Sequence, residues 1–80
     1  MRVKIFVSLK QGVLDPQGKA IEGSLHALGY SEVHGVRMGK YLELDVEAAS
    51  PSAGAARVRK MCDKLLANPV IEDYRFEIEE

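Results

Sequence analysis

Cys62 carries the strongest intrinsic chemistry in this chain, a thiol that becomes a nucleophile once deprotonated. Catalysis would require an exposed thiol of lowered pKa and a base oriented beside it. Cys62 instead shares a helical stripe with Ala55, Val58, Met61 and Leu65, which predicts a buried, structural sulfur. The two histidines, His26 and His34, stand eight residues apart, on a helix face and a strand. With no cysteine near them and no i, i+4 pairing on one helix, they are expected to be partly exposed side chains and not metal ligands. The run Gly18 to Ser24 has the look of a phosphate loop, but the lysine needed after its second glycine is missing. Both glycines also fall inside a predicted helix, where no anion cradle forms. Glu77, Glu79 and Glu80 read as a solvated strand end in preference to a cation site, and Tyr74 and Phe76 as alternate core positions in preference to a base-stacking platform. No catalytic, cofactor-binding or metal-ligating residue is therefore expected.

One cluster has a functional reading. Arg37, Lys40 and Tyr41 surround Gly39, where an extended stretch must bend or turn. Backbone irregularity presents side chains to a neighbour, and arginine and tyrosine are enriched among interface anchors. These three are the candidate partner-interface residues; the bland alternative is an ordinary exposed turn.

The elements that must position them follow from periodicity. Val3, Ile5, Val7 and Leu9 alternate with polar neighbours, which predicts a first strand with one face in the core. Asp15 then Pro16 is a helix start, with the carboxylate free to accept backbone N–H groups and proline suited to the first helical position. That helix is predicted from Pro16 to about Leu28, with Ile21, Ser24, Leu25 and Leu28 on one stripe, Lys19, Glu22 and His26 opposite, and Gly29 ending it. Ser50 and Pro51 repeat the signal for a second helix to about Ala67, stopped by Asn68 and Pro69. Val70 to Glu80 is a last strand.

Between the helices, Val33 to Glu47 keeps Val36, Met38, Leu42, Leu44 and Val46 on one parity. Fifteen extended residues span roughly 50 Å, yet a compact domain of this length is only about 30 Å across. Either the chain turns back near Gly39, through a bulged three-residue hairpin, or part of the strand leaves the monomer to pair with another subunit. The long, bent strand and a dimer are favoured. The expected fold class is α+β, in the order β-α-β-α-β, with the central strand long and either bent or split near Gly39. The sheet is mostly antiparallel, both helices lie on one face, and dimerisation runs through the sheet.

Eighty residues without a linker or repeat make one domain, 1–80. Eleven basic and twelve acidic residues give a net charge of −1 with no long block of either sign, so the strong basic field of a general nucleic-acid binder is lacking. A single cysteine rules out an internal disulfide and fits a reducing compartment. The first residues are too short an apolar run for a signal peptide, and no stretch approaches membrane-spanning length, so no membrane partner is expected and the cytoplasm is the expected location.

Four ordered blocks carry a family likeness. They are Val7-Ser8-Leu9-Lys10, Val13-Leu14-Asp15-Pro16-Gln17-Gly18, Val36-Arg37-Met38-Gly39-Lys40-Tyr41, and the long run from Met61-Cys62-Asp63-Lys64 through Asn68-Pro69 to Tyr74. Together they resemble the PurS family, the small subunits of phosphoribosylformylglycinamidine synthase, over essentially the whole chain. Ala48 to Arg59 carries no signature. The resemblance implies a noncatalytic assembly subunit in de novo purine biosynthesis. It implies a holoenzyme that uses ATP, Mg and glutamine, none of them bound by this chain. Its expected partners are a PurL-type ligase subunit and a PurQ-type glutaminase, bridged so that ammonia passes between them, and a second copy of itself in a homodimer or dimer of dimers. The rival reading is an ACT-like regulatory domain that binds a small molecule such as a free amino acid.

Overall fold

A computed structural model of the chain describes residues 1–79. Glu80, the last of the three carboxylates weighed as a cation site and the expected end of the final strand, lies outside the described residues. The order is β1 (Arg2–Leu9), α1 (Pro16–Ala27), β2 (Gly39–Asp45), α2 (Pro51–Met61) and β3 (Glu72–Glu79). Both outer strands pair antiparallel with β1, giving the sheet order β2-β1-β3. This is the α+β, antiparallel arrangement the sequence predicts.

Alternation in β1 decides the core. Val3, Ile5 and Val7 are buried on one face, under Val58 and Cys62 of the second helical segment, with Val46 and Ala67 at its margins. Leu42 and Leu44 from β2 and Tyr74, Phe76 and Ile78 from β3 pack against this cluster half-buried. Of the two helices expected on this face, α2 occupies it, and α1 contributes none of the core residues.

The second helix starts as predicted, with the Ser50 hydroxyl accepting from the Ala53 amide and Pro51 in the first turn. Its last turn differs. Cys62–Leu66 is a π-helical turn, closed by the Ala67 amide donating to the Cys62 carbonyl at 3.0 Å. One extra residue in a turn delays the phase of every residue after it. Leu65, expected on the apolar stripe, is therefore 81% exposed, while Leu66 and Ala67 turn inward.

The central segment neither splits nor folds into a hairpin. β2 begins at Gly39, and residues 33–38 form an arm beyond the sheet, returning alongside α1. The strand is thus the seven residues Gly39–Asp45 and not the whole of Val33 to Glu47; the molecule measures 51 × 26 × 14 Å. Among the described residues no helix is long and apolar enough to cross a membrane.

Candidate functional site

The arm is held to α1 by side chains that take the place of a neighbouring strand. Asp15 caps α1, one oxygen accepting from the Gly18 amide at 2.9 Å and the other from the Met38 amide at 2.7 Å. Glu22, two turns along, accepts from the Val36 amide at 3.0 Å, and the Val33 carbonyl accepts from His26 Nε2 at 2.7 Å. Amides of residues 36 and 38 thus point the same way, which is the alternation of an extended chain. The N–H bonds from Met38 and Gly18, more than the nearby Arg37 guanidinium, hold the Asp15 carboxyl below its ordinary pKa. The Val36 amide does the same for Glu22. Gly18 is buried where the arm crosses α1, and a Cβ there would run into the Val36 carbonyl.

Asp15 is the cap its sequence predicts, whereas Glu22 and His26, expected on the stripe opposite the apolar one, bind the arm's backbone. The missed signal is spacing: 15, 22 and 26 lie at i, i+7 and i+11, one face of a helix. The opposite stripe is the one left open, with Ile21 at 40% exposure and Leu28 at 74%.

Arg37, Lys40 and Tyr41 all sit at the junction of arm and sheet but point to different places. Arg37 donates to the carbonyls of Leu9 and Lys10 at 2.9 and 3.1 Å and lies 4.0 Å from Asp15, tying the arm to the end of β1. Lys40 stands opposite Val7 on the core face, where Nζ reaches the Leu66 carbonyl at 3.3 Å and Glu72 at 3.8 Å. There it satisfies an orphan carbonyl at a helix C-terminus, a favourable place for a cation. Tyr41 stands on the other, uncovered face. Its ring lies 5.0 Å from that of Phe6, its hydroxyl donates to Glu43 at 2.9 Å, and burial raises its pKa above the ordinary phenol value.

On that face Arg75 lies over Phe6, 3.9 Å from the ring centroid, so Tyr41, Phe6 and Arg75 form one row across all three strands. An open groove of about 480 Å³ runs past this row and Gly39, with Arg37 and Met38 at its rim. Farther along the same face, Arg2 and Lys4 of β1 pair with Glu43, Asp45 and Glu79 of the outer strands. Arg37, Lys40 and Tyr41 thus all line one groove with Phe6 and Arg75, which the sequence did not single out. The Lys40 ammonium itself reaches to the core side.

Cys62 is fully buried, and its burial, with Asp63 adding, pushes the thiol pKa up, away from nucleophilic use. The groove offers cation–π, hydrogen-bond and aromatic contacts to another surface, without a nucleophile paired to an oriented base.

Sheet edges offer a second kind of contact. Val46 exchanges both backbone bonds with Met1 at 2.9 Å, so even-numbered residues of β2 face β1 and the amides of Tyr41, Glu43 and Asp45 face outward. In the same way the Lys10 amide donates to Ile71 at 2.8 Å, which leaves the backbone of Tyr74, Phe76 and Ile78 on the outer edge of β3.

The PurS family, described as phosphoribosylformylglycinamidine (FGAM) synthase, matches residues 2–80. The phosphoribosylformylglycinamidine synthase subunit PurS of Bacillus subtilis is 54% identical over 79 residues, covering 99% of this chain and 93% of that protein. Its counterpart from Synechocystis is 49% identical over 75 residues, covering 94% and 75%. Among solved structures, B. subtilis PurS superposes with a TM-score of 0.88 at 56% identity, covering 99% and 98%. A chain from the structure of PurLQS from Thermotoga maritima superposes at 0.87 with 36% identity, covering 95% of this chain and 93% of that one.

Proposed function

Because the chain belongs to the PurS family, subunits of phosphoribosylformylglycinamidine synthase in purine biosynthesis, we propose that it is the noncatalytic bridge of that ligase. It joins a PurL-type ATP-dependent subunit to a PurQ-type glutaminase, in the cytoplasm, and so supports transfer of ammonia from one to the other. ATP, Mg and glutamine belong to the larger subunits, and this chain binds none of them. It works as a homodimer or a dimer of dimers.

The observation that carries this reading is the likeness, along nearly the whole chain, to a chain of the T. maritima PurLQS structure. The groove beside Tyr41 and the open edges of β2 and β3 supply contact surfaces of the kind an assembly subunit needs. The buried thiol of Cys62 suits a subunit without chemistry of its own.

Reconstitution tests it. Adding the chain to PurL-type and PurQ-type subunits should raise glutamine-dependent turnover strongly and ammonium-dependent turnover much less, because free ammonia needs no transfer between active sites. A pull-down should recover both larger subunits, with and without glutamine and ADP compared. Equal stimulation with either nitrogen source would remove the transfer role. A rise in Tm with free amino acids in the isolated chain would instead support a ligand-binding regulatory domain.

A further inference from the structure

We propose that the outer edge of β3 is where a larger subunit of the ligase adds a strand, and that the added segment alternates apolar residues with lysine or arginine. The inference rests on the bridging role proposed above. β3 runs eight residues, Glu72–Glu79, along the margin of the sheet. Its inner side is matched one for one by β1, without a bulge. On its outer side Tyr74, Phe76 and Ile78 present N–H and C=O groups that no backbone bond reaches among the described residues. Edges that stay open are commonly kept short, bulged or broken by proline, and β3 is none of these. Its one guard is charge.

That charge decides the occupant. The row of β3 on the open face is Asp73, Arg75, Glu77 and Glu79, all exposed, three acids to one base. The row on the core face is Tyr74, Phe76 and Ile78, all half-buried. β1 shows what suits such a strand. Arg2-Val3-Lys4-Ile5 stands against Glu79-Ile78-Glu77-Phe76, a cation opposite each acid and an apolar residue opposite each apolar one, with Lys4 bound to Glu79 at 2.6 Å. A strand on the other side of β3 meets the same two rows, so the same alternation suits it. A second copy of β3 does not. Antiparallel self-pairing about Phe76 sets Asp73 against Glu79, and self-pairing about Arg75 sets Arg75 against itself and Asp73 against Glu77. Strand addition takes its affinity from main-chain bonds and its specificity from alternate side chains, and β3 offers both.

The test is hydrogen exchange, read residue by residue by fragment mass spectrometry on the full chain, alone and with purified PurL-type and PurQ-type subunits added together. In the complex the amides of Phe76 and Ile78 should exchange about ten-fold or more slowly, with the amides of Arg75 and Glu77, which already face β1, as the reference. Glu77→Lys should weaken capture of the larger subunits about ten-fold, and Glu77→Gln less. Each variant alone should keep the wild-type Tm, because Glu77 is exposed and pairs with Arg75 of its own strand, which separates loss of a contact from loss of fold. Capture with both outer amides exchanging as in the free chain would overturn the edge and leave the bridging role standing. Protection of those amides in the isolated chain, at concentrations where it self-associates, would overturn it in favour of a second copy. Capture indifferent to Glu77→Lys would refute the basic segment. Failure of the wild-type chain to capture either larger subunit would remove the bridging role and this inference with it.

Discussion

One carboxylate, Asp15, accepts from the first turn of α1 and from the arm, and both bonds need it ionised. The same holds for Glu22 at Val36. Both groups have folded pKa values below their ordinary ones, so the stability they contribute is fully present above the usual carboxylate range, about pH 4 to 5. It is lost as pH falls through the lower folded values. Thermal melting of the wild type should therefore decline on the acid side of that range. Asp15→Asn keeps one accepting oxygen but sets an NH2 donor against the other amide, so it should melt roughly 4–8 °C lower at neutral pH, as for the loss of about one hydrogen bond in a small domain, and show a shallower acid decline. An unchanged acid slope in that variant would place the sensitivity elsewhere. The three junction residues separate in the same residue-by-residue way. Tyr41→Ala, on the open face, should cost about 1–4 kcal/mol of affinity for the larger subunits with little change in Tm. Lys40→Ala, which uncaps Leu66, should act chiefly on stability. Titrated reconstitution beside melting curves distinguishes the two, and a Tyr41→Ala chain that titrates as wild type with glutamine shows that the binding surface lies away from the groove. Cys62→Ala should leave assembled activity intact and lower unfolding free energy by about 1 kcal/mol in a urea titration, as small core truncations do.

Elements with strong local signals were legible in the sequence. Asp15-Pro16 and Ser50-Pro51 mark the true helix starts, Gly29 ends the first helix with φ +100°, and the parity of Val3, Ile5 and Val7 identifies the buried face of β1. What was not legible depends on contacts between elements. The π-helical turn at Cys62–Leu66 swaps Leu65 for Leu66 on the inner face, and helical periodicity carries no trace of that extra residue. Likewise, the station of α1 outside the core depends on Glu22 and His26 binding backbone, a use that their polarity alone does not distinguish from solvation. Gly39 was expected to mark a bend or a split, and the structure gives a different reason for glycine. A Cβ there would lie 2.6 Å from the Val7 carbonyl oxygen, backbone that cannot swing aside. Gly39→Ala should therefore push the start of β2 away from β1 at a cost of about 1–3 kcal/mol, in the range of other forced overpacking. Hydrogen exchange should show faster opening of Lys40 and Leu42 amides. A variant as stable as the wild type would mean the strand relaxes without strain.

As a whole molecule, the chain is more extended than a compact domain of its length. Its radius of gyration is 16.0 Å, against about 12 Å for a compact domain of 80 residues. It exposes 5724 Å², against about 4,800 Å² for a folded monomer of 8.8 kDa. The excess, roughly 900 Å², is close to the 800 Å² per partner that a standard stable interface buries. Its location is also telling. Leu42, Leu44, Met61, Leu65 and Leu66 line an apolar groove of about 400 Å³ beside the outer edge of β2, where backbone groups of Tyr41, Glu43 and Asp45 face away from β1. An open strand edge flanked by apolar surface is a site for pairing, and a closed two-fold pair satisfies both copies at once. Light scattering at micromolar concentration should therefore give at least twice the chain mass. Leu65→Glu, which sets a charge in the groove at a position already 81% exposed, should shift the population toward smaller species without lowering helix content. The 81% exposure makes Leu65 a clean probe, because little of its side chain supports the monomer's own core. A mass near 8.8 kDa for the wild type would refute self-association, and an unchanged mass for Leu65→Glu would move the interface from this groove to the stripe of α1 or the edge of β3.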